Sequence, residues 1–241
     1  IGKARGWSVY LSDNGAIHNA RDLQRFDAVV WNNVTGEVLD AGQKRALRDY
    51  LEQGGGFVAL HSSGDSSHED WPWYMKSIIR VRFVGHPMLP QFQRATVRIE
   101  QPADPIMDGI PAAWVRTDEW YSFAASPRAS DLRVLATIDE NTYRPGSFFS
   151  KELAMGPDHP MVWKHCVGRG RVFYAAPAPD AKPFVAVGQR VRKGEVVCII
   201  EAMKLMNEID SECDGELVSV YVQNGQAVQY GERLFAIRLK S

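Results

Sequence analysis

The sequence is poor in cysteine, nearly neutral and free of long apolar runs. Its three cysteines, Cys166, Cys198 and Cys213, are too few and too irregularly spaced for a disulfide framework. Their odd number favours a reducing compartment, so we expect a cytoplasmic protein. A net charge of −1 gives no indication of a nucleic-acid-binding surface or of an acidic tail, and no apolar run approaches membrane-spanning length. With 45% hydrophobic and 24% charged residues, the 241 residues suffice for one large or two ordinary globular domains.

The first part of the chain has the pattern of a βαβ unit. Residues 27–33 (DAVVWNN) form a near-continuous apolar run, as in a parallel strand that is buried on both faces. Asp40 is expected to cap a helix that ends at Gly54, and residues 57–60 (FVAL) form a second buried strand. The apolar residues of the helix recur at helical spacing: Ala46, Leu47, Tyr50 and Leu51. Strand, helix and strand in this order predict an α/β doubly wound sheet.

Further strands are predicted at residues 7–11, 95–99 and 133–138 from their apolar and β-branched character. Residues 161–163 and 171–174 should pair as a hairpin, because the glycines of the GRG segment at 168–170 allow a tight turn between them.

Polar residues cluster near the ends of the predicted strands. His61 directly follows the strand at 57–60, at the edge where open α/β sheets bind ligands. Five residues are therefore candidates to line one pocket at that edge, as catalytic acid–base groups or as metal ligands: His61, His86, Asp118, Glu119 and His159. Alternatively, these side chains only satisfy one another and the backbone. No histidine spacing indicates zinc, so no metal site is predicted.

Aromatic residues lie in the same stretches. Trp71, Trp73, Trp120 and Tyr121 could stack against sugar rings, although core packing explains them nearly as well.

The last quarter of the chain contains an internal repeat. The pattern V-x-x-G-Q-x-V-x-x-G-E occurs at residues 185–195 and again at 222–232. A strand-like run follows each copy, at residues 196–200 and 234–237, so two similar β-units are expected to pack together. Lys204 lies in the connection between the copies with Met203 and Leu205 beside it, and apolar neighbours at an exposed tip indicate that something docks there.

Residues 201–206 (EAMKLM) resemble the biotin-attachment motif of biotinyl domains, in which a ligase biotinylates the lysine. Residues 177–184 (PAPDAKPF) resemble the thumb of the acetyl-CoA carboxylase carrier protein. Lipoyl domains share the fold but usually have Asp before the lysine and Ala after it, so Met203 and Leu205 favour biotin. The resemblance implies a small all-β flattened barrel of the biotinyl/lipoyl type over residues 175–241. It also implies covalent biotin on Lys204, a biotin-protein ligase, and the biotin carboxylase and carboxyltransferase subunits as partners.

Residues 1–174 resemble the ThuA-like (trehalose-utilisation) domains. The matching stretches are residues 31–36, 54–61, 85–87, 116–121 and 158–160. The resemblance implies a class I glutamine-amidotransferase-like, flavodoxin-type sheet with a pocket for a sugar ligand. It begins after the usual first strand of the family and stops short of the usual end, so we expect a domain truncated at both ends. No cysteine lies near His61, where the amidotransferase-like fold holds its nucleophile, and a Cys-His-Glu hydrolase is therefore not expected.

Three functions remain open. The chain could be a biotin carboxyl carrier module that shuttles carboxylate for an acyl-CoA carboxylase in fatty-acid synthesis. It could be a ThuA-like carbohydrate enzyme with the biotinyl part as a passenger, or a fusion that does neither. The carrier hypothesis is favoured because its motif has one known chemical use, whereas a fold resemblance alone does not give function.

Residues 171–174 belong to both resemblances. Their hairpin partner at 161–163 is near in sequence, so closing that hairpin costs less entropy than pairing within the carrier domain. We therefore expect the strand to stay with the N-terminal domain, which leaves the carrier domain with an unpaired edge and a lower stability.

Overall fold

The computed structural model describes residues 6–179, 185, 187–202, 205–222 and 228–239. The chain divides into two units, residues 1–179 and 180–241. Within the described residues, no helix combines the length and the apolar character that a membrane crossing requires.

The N-terminal unit is built from short helices and a large sheet. Its helices are α1 (Ala20–Leu23), α2 (Ala41–Glu52) and α3 (Pro72–Tyr74). Its strands are β1 (Ala28–Asn32), β2 (Gly56–Leu60), β3 (Phe83–Gly85), β4 (Phe92–Ile99), β5 (Ala113–Glu119), β6 (Ser122–Phe123), β7 (Leu132–Asp139), β8 (Ser147–Phe148), β9 (Lys151–Glu152), β10 (Pro160–Val167) and β11 (Gly170–Ala175).

Seven of these strands form one mixed sheet in the order β1-β2-β11-β10-β7-β4-β5. The β1–α2–β2 unit is present as the sequence predicts, and β1, β2 and β11 run parallel. The prediction that β1 is buried on both faces is wrong, because β1 is the edge strand of the sheet and only Trp31 of its residues is buried. The remaining neighbours pair antiparallel. The sheet is therefore α/β but parallel only in part, whereas the sequence predicted a doubly wound sheet. The tight turn between β10 and β11 accounts for part of the difference, because a turn of this length can join only antiparallel strands.

Helix α2 begins and ends as predicted. The Asp40 carboxylate accepts a hydrogen bond from the backbone N–H of Gln43 at 2.9 Å, and the Gln43 side chain accepts one from the backbone N–H of Asp40 at 2.7 Å. A cap of this kind contributes about 1 kcal/mol. Leu47 and Leu51 are fully buried on the inner face. Gly54 follows the helix with φ +119°, a conformation that favours glycine.

The strand predicted at residues 7–11 is wrong. The segment belongs to no helix or strand among the described residues. Its side chains are exposed, with Trp7 at 61% and Leu11 at 86%. Apolar and β-branched residues favour a strand only where a neighbouring strand accepts their hydrogen bonds, and a sequence pattern does not reveal that neighbour.

Strand β11 lies inside the N-terminal sheet and pairs along both edges. Tyr174 lies opposite Trp163 of β10 on one side and opposite Ala59 of β2 on the other. The predicted hairpin and the assignment of residues 171–174 to the N-terminal unit are both confirmed. Tyr174 and Trp163 are fully buried in the core of this unit.

The C-terminal unit is all-β in its described part. Its strands are β12 (Arg190–Val191), β13 (Val196–Ala202), β14 (Leu205–Asp210), β15 (Gly215–Val220) and β16 (Phe235–Leu239). β12, β15 and β16 form one sheet, and β13 and β14 form a hairpin. The apolar runs that follow the two repeat copies thus fall on β13 and β16. The described core of this unit is small and consists of Val185, Val191, Val197 and Leu217 with three partly buried neighbours.

The difference in core size predicts a difference in local stability. Strand β2 has a partner on both sides and lies in the larger core. We expect native-state hydrogen exchange at residues 57–60 to be slower than at residues 196–200 and 235–237. The expected ratio is at least about tenfold, which corresponds to roughly 1.4 kcal/mol of opening free energy. Carrier amides that outlast those of β2 would contradict this account of the two cores.

Candidate functional site

His61 occupies a strained position at the end of strand β2. Its φ is +49°, in the left-handed region that bulky side chains avoid. The backbone is held there by the buried Tyr174, whose hydroxyl donates to the His61 carbonyl at 3.1 Å. The His61 side chain is only 12% exposed. Strain of this kind persists only where the surroundings enforce it, and it concentrates at functional sites.

The Glu119 carboxylate lies between two histidines. Its Oε2 is 3.4 Å from Nε2 of His61, and its Oε1 is 3.4 Å from Nε2 of His86. The side-chain amide of Gln91 also donates to Oε1 of Glu119. Glu119 ends β5, His61 follows β2 and His86 follows β3, so three separate elements meet at this carboxylate. We call His61, His86 and Glu119 the His–Glu–His cluster.

The contacts of His61 determine its charge. Nδ1 lies 2.7 Å from the carbonyl oxygen of Ala176, which can only accept, so Nδ1 carries a proton. Burial alone would lower the pKa of His61, but the bonds to Glu119 and Ala176 outweigh it and raise the pKa above 6.5. Burial likewise disfavours ionised Glu119, but hydrogen bonds from His61 and Gln91 hold its pKa below 4.5. The contact between the two side chains thus favours the charged form of each.

Tyr121 forms the floor under the cluster. Its ring stacks on that of His61 with centroids 4.3 Å apart and packs against Phe83 at 4.5 Å. Burial raises the pKa of Tyr121, so the phenol stays neutral. The ring thus fixes the plane of the imidazole without adding a charge to the site.

Asp118 lies beside the cluster and binds the segment that follows β11. Its Oδ2 accepts the backbone N–H of Ala178 at 3.0 Å and lies 3.1 Å from Nε of Arg116. Arg116 in turn donates to the Ala178 carbonyl at 2.9 Å. Burial raises the pKa of Asp118 even though Arg116 opposes the shift. Both backbone groups of Ala178 are therefore held by neighbouring side chains of β5.

His159 lies in a separate, buried pair. Its Nδ1 is 2.7 Å from Oε1 of Glu140, and its Nε2 is 2.8 Å from the carbonyl oxygen of Tyr121. The His159 side chain is fully buried. The structure thus brings His61, His86 and Glu119 together, places Asp118 next to them, and places His159 behind Tyr121. The catalytic roles of all five residues stay predictions.

The aromatic residues are mainly core residues. Trp71, Trp120 and Tyr121 are buried, and the indole N–H of Trp120 donates to the carbonyl of Gln93 at 2.7 Å. Trp73 is half-buried, with its ring 5.6 Å from that of Trp71. A sugar ring has no free face of Trp120 to contact, so core packing accounts for this residue.

Sequence reasoning missed Gln91, Arg116 and Glu140. Arg116 was detectable, because residues i and i+2 of a strand point to the same side and Asp118 follows it at that spacing. Gln91 lies in a loop and Glu140 begins a short 3-10 helix (Glu140–Thr142), so strand spacing gives no such signal for either.

Other features of the described residues add nothing to the site. Among the described residues, no three His, Cys, Asp or Glu side chains, those of the His–Glu–His cluster included, are arranged so that they could hold a metal ion. A cavity of about 320 Å³ lies against α1 and α2, and one of about 840 Å³ lies beside β2, β10 and β11. No residue of the His–Glu–His cluster lines either cavity.

The predicted attachment site lies on the hairpin of β13 and β14. Ala202 pairs with Leu205 as the last pair of the hairpin. Two residues, Met203 and Lys204, therefore connect the strands, and both lie outside the described residues, as does part of the thumb at 180–184. The predicted turn at Lys204 thus falls between two paired strands.

The ion pair of His61 and Glu119 predicts a pH dependence. The pKa of His61 is raised, so its stabilising contribution is complete below about pH 6.5 and is lost as the pH rises through the raised value. The pKa of Glu119 is lowered, so its contribution is present above about pH 4.5 and is lost as the pH falls through the lowered value. Both charges are present between these limits.

The substitution Glu119→Gln removes the carboxylate that raises the pKa of His61, and burial, which lowers this pKa, is then no longer opposed by a negative charge. We expect the pKa of His61, measured by NMR titration, to fall from above 6.5 to below it. Glu37→Gln, at an exposed carboxylate paired with Lys44, is the matched control and should leave His61 unchanged. An unchanged His61 pKa in Glu119→Gln would show that the pair does not control the charge.

Two protein families match the chain. The profile described as "Trehalose utilisation" (ThuA) matches residues 1–182, and the profile described as "Biotin-requiring enzyme" matches residues 172–237. Among solved structures, a ThuA-like protein from Bacteroides uniformis aligns with a TM-score of 0.58 and 21% identity over 73% of this chain and 69% of its own. A cytoplasmic protein from Salmonella typhimurium LT2 aligns with a TM-score of 0.53 and 12% identity over 75% of this chain and 74% of its own. At these identities the likeness shows the fold alone.

The C-terminal unit is similar to carrier proteins. The biotin carboxyl carrier protein of acetyl-CoA carboxylase from Nostoc sp. is 53% identical over 66 residues, 27% of this chain and 36% of the relative. The same protein from Pseudomonas aeruginosa is 49% identical over 65 residues, 27% of this chain and 42% of the relative. The chain thus covers less than half the length of these relatives. It belongs to the ThuA (trehalose utilisation) family, and its ThuA-like domain is fused to a biotinyl domain like that of biotin carboxyl carrier proteins.

Proposed function

We propose that this chain is a biotin carboxyl carrier module, biotinylated on Lys204, that carries carboxylate for an acyl-CoA carboxylase. The observation that carries the proposal is the EAMKLM motif at the end of the β13–β14 hairpin, where Ala202 and Leu205 close the ladder around Met203 and Lys204. A lysine in the connection between two paired strands suits a biotin-protein ligase, which must reach the amine of one lysine only. The similarity to the carrier proteins of acetyl-CoA carboxylase supports the same function.

In the proposed chemistry the carrier unit supplies no catalytic group and only positions the biotin. Lys204 holds biotin as an amide, and the bound biotin carries a carboxyl group between two active sites. Met203 and Leu205 give the biotin-protein ligase its recognition surface. Biotin carboxylase and carboxyltransferase are the two further partners, and fatty-acid synthesis is the proposed pathway. The three cysteines are unpaired, and we propose the cytoplasm as the compartment.

The segment between the units limits how far the carrier reaches. Carrier domains depend on tethers that make the second encounter effectively intramolecular. Here Arg116 and Asp118 hold Ala178, so we count the residues available to a tether only from those after it. Residues 179–184 then lead to Val185, and six residues extend to at most about 20 Å. We propose residues 175–241 as the biotinyl domain, with its first residues serving as an anchored tether and thumb.

A second function is favoured for the ThuA-like domain by the His–Glu–His cluster. We propose that it acts on a sugar, as the family description "Trehalose utilisation" suggests. His61, protonated and held by Glu119, is suited to act as a general acid, and His86 is the second acid–base group. Two further residues complete the proposed set. Asp118 fixes the segment beside His61, and His159 fixes the backbone of Tyr121.

Lys204→Arg tests the carrier function. The variant keeps the positive charge but removes the acceptor amine, so labelling by biotin-protein ligase should fall to background on a streptavidin blot. Lys193→Arg, at an exposed lysine of the same unit, is the matched control and should be labelled like the wild type. Unchanged circular dichroism would show that both variants fold. Streptavidin binding by Lys204→Arg would disprove the assignment.

A further inference from the structure

The hairpin of β8 and β9 has an unfavourable tip. Phe148 pairs with Lys151, so Phe149 and Ser150 form a two-residue connection. Their φ values are +44° and +67°, and both residues are therefore in the left-handed region. Turns of this kind select Asn-Gly or similar pairs, because a bulky side chain is strained there. The phenylalanine is thus not explained by turn geometry.

Packing does not explain Phe149 either. Its side chain is 84% exposed, so the residue gains little from burial. Two exposed apolar residues of the loop after His86, Met88 and Leu89, add to the apolar surface of this region. A large aromatic side chain that is both strained and exposed indicates a contact with a further molecule.

The tip is fixed beside the His–Glu–His cluster. The Phe149 ring lies 4.6 Å from that of Phe148, which in turn lies 5.4 Å from the ring of His86. Phe148 packs directly on the backbone before His86, since a Cβ at Gly85 would lie 2.6 Å from it. Leu153 is buried and holds the base of the hairpin through a 3.1 Å bond to the carbonyl of Gly146.

We propose that Phe149 is a stacking platform for a sugar ring of a ligand bound at the His–Glu–His cluster. The proposal rests on the sugar-directed function proposed above for the ThuA-like domain. The Phe149 ring and the charged side chains of the cluster differ in polarity, as do the C–H groups and the hydroxyl groups of a sugar ring. The aromatic ring suits the C–H face of a pyranose, and the ionised Glu119 and protonated His61 suit its hydroxyl groups. A purely apolar ligand would make no hydrogen bonds to these polar groups.

Trehalose binding to the full chain tests the platform. Isothermal titration calorimetry would compare the wild type with Phe149→Ala, Phe149→Tyr and Phe149→Asn. We expect Kd to rise about tenfold or more in the Ala and Asn variants, the loss that about 1.4 kcal/mol produces. The Tyr variant keeps a ring and should bind like the wild type. Tyr230→Ala, at a fully exposed aromatic residue of the other unit, controls for non-specific aromatic contacts.

The strain at Phe149 supplies a second readout. Asparagine accepts the left-handed conformation more readily than phenylalanine, so Phe149→Asn should raise the Tm of the N-terminal unit. We expect a rise of about 2–4 °C in a domain of this size. The variant would then be more stable and bind worse, which a purely structural role of Phe149 does not produce.

The binding results distinguish a failure of the proposed role of Phe149 from a failure of the proposed sugar-directed function. Equal affinity of the wild type and Phe149→Ala, with binding lost in Glu119→Gln, would overturn the platform and leave the sugar-directed function standing. A wild-type chain that does not bind trehalose would overturn both. A Tm that does not rise in Phe149→Asn would remove the strain argument and count against the proposal.

Discussion

The double pairing of strand β11 is the constraint on which the other features depend. β2 lies parallel on one edge and β10 antiparallel on the other, so residues 171–175 are paired on both edges within the ThuA-like sheet. Tyr174 in this strand holds the strained backbone of His61. The residue after the strand, Ala176, supplies the carbonyl that fixes the His61 proton. One strand therefore closes the sheet, positions the candidate acid and starts the tether.

The pairing of β11 also determines which residues the biotinyl domain can use for its own strands. Both family profiles include residues 172–175, but a backbone hydrogen bond cannot be made in two sheets at once. The described carrier core rests on a few residues around Val197 and Leu217. A core of that size contributes little stabilisation, because the buried apolar area is small. We therefore expect the fusion to lower the stability of the carrier unit rather than that of the ThuA-like sheet.

Features that depend on neighbouring residues were predictable from the sequence. The capping box at Asp40 and the β10–β11 hairpin both follow from short-range patterns, and both are present. The lysine motif was found in the same way, because it lies between the two copies of a repeat. Features that depend on a distant partner were not predictable. Residues 7–11 have the character of a strand but no ladder partner in the described part of the chain, and the mixed order of the sheet depends on pairings between distant strands.

The candidate site shows the same division. That His61 ends a strand could be inferred from a run of apolar residues. That Glu119 contacts both His61 and His86 could not, since the contact joins three elements. The sequence grouped Asp118 with Glu119 as neighbours, yet adjacent strand residues point to opposite sides. Asp118 therefore holds the backbone of Ala178 while Glu119 meets the histidines.

The central claim is that a carrier deprived of residues 171–174 still works as a carrier. The most direct test is carboxylation of the biotinylated full chain by biotin carboxylase with its nucleotide and labelled bicarbonate. The account predicts that the label appears on the peptide containing Lys204 and is absent from chain that was not biotinylated. A chain that carries biotin on Lys204 but accepts no label would contradict it.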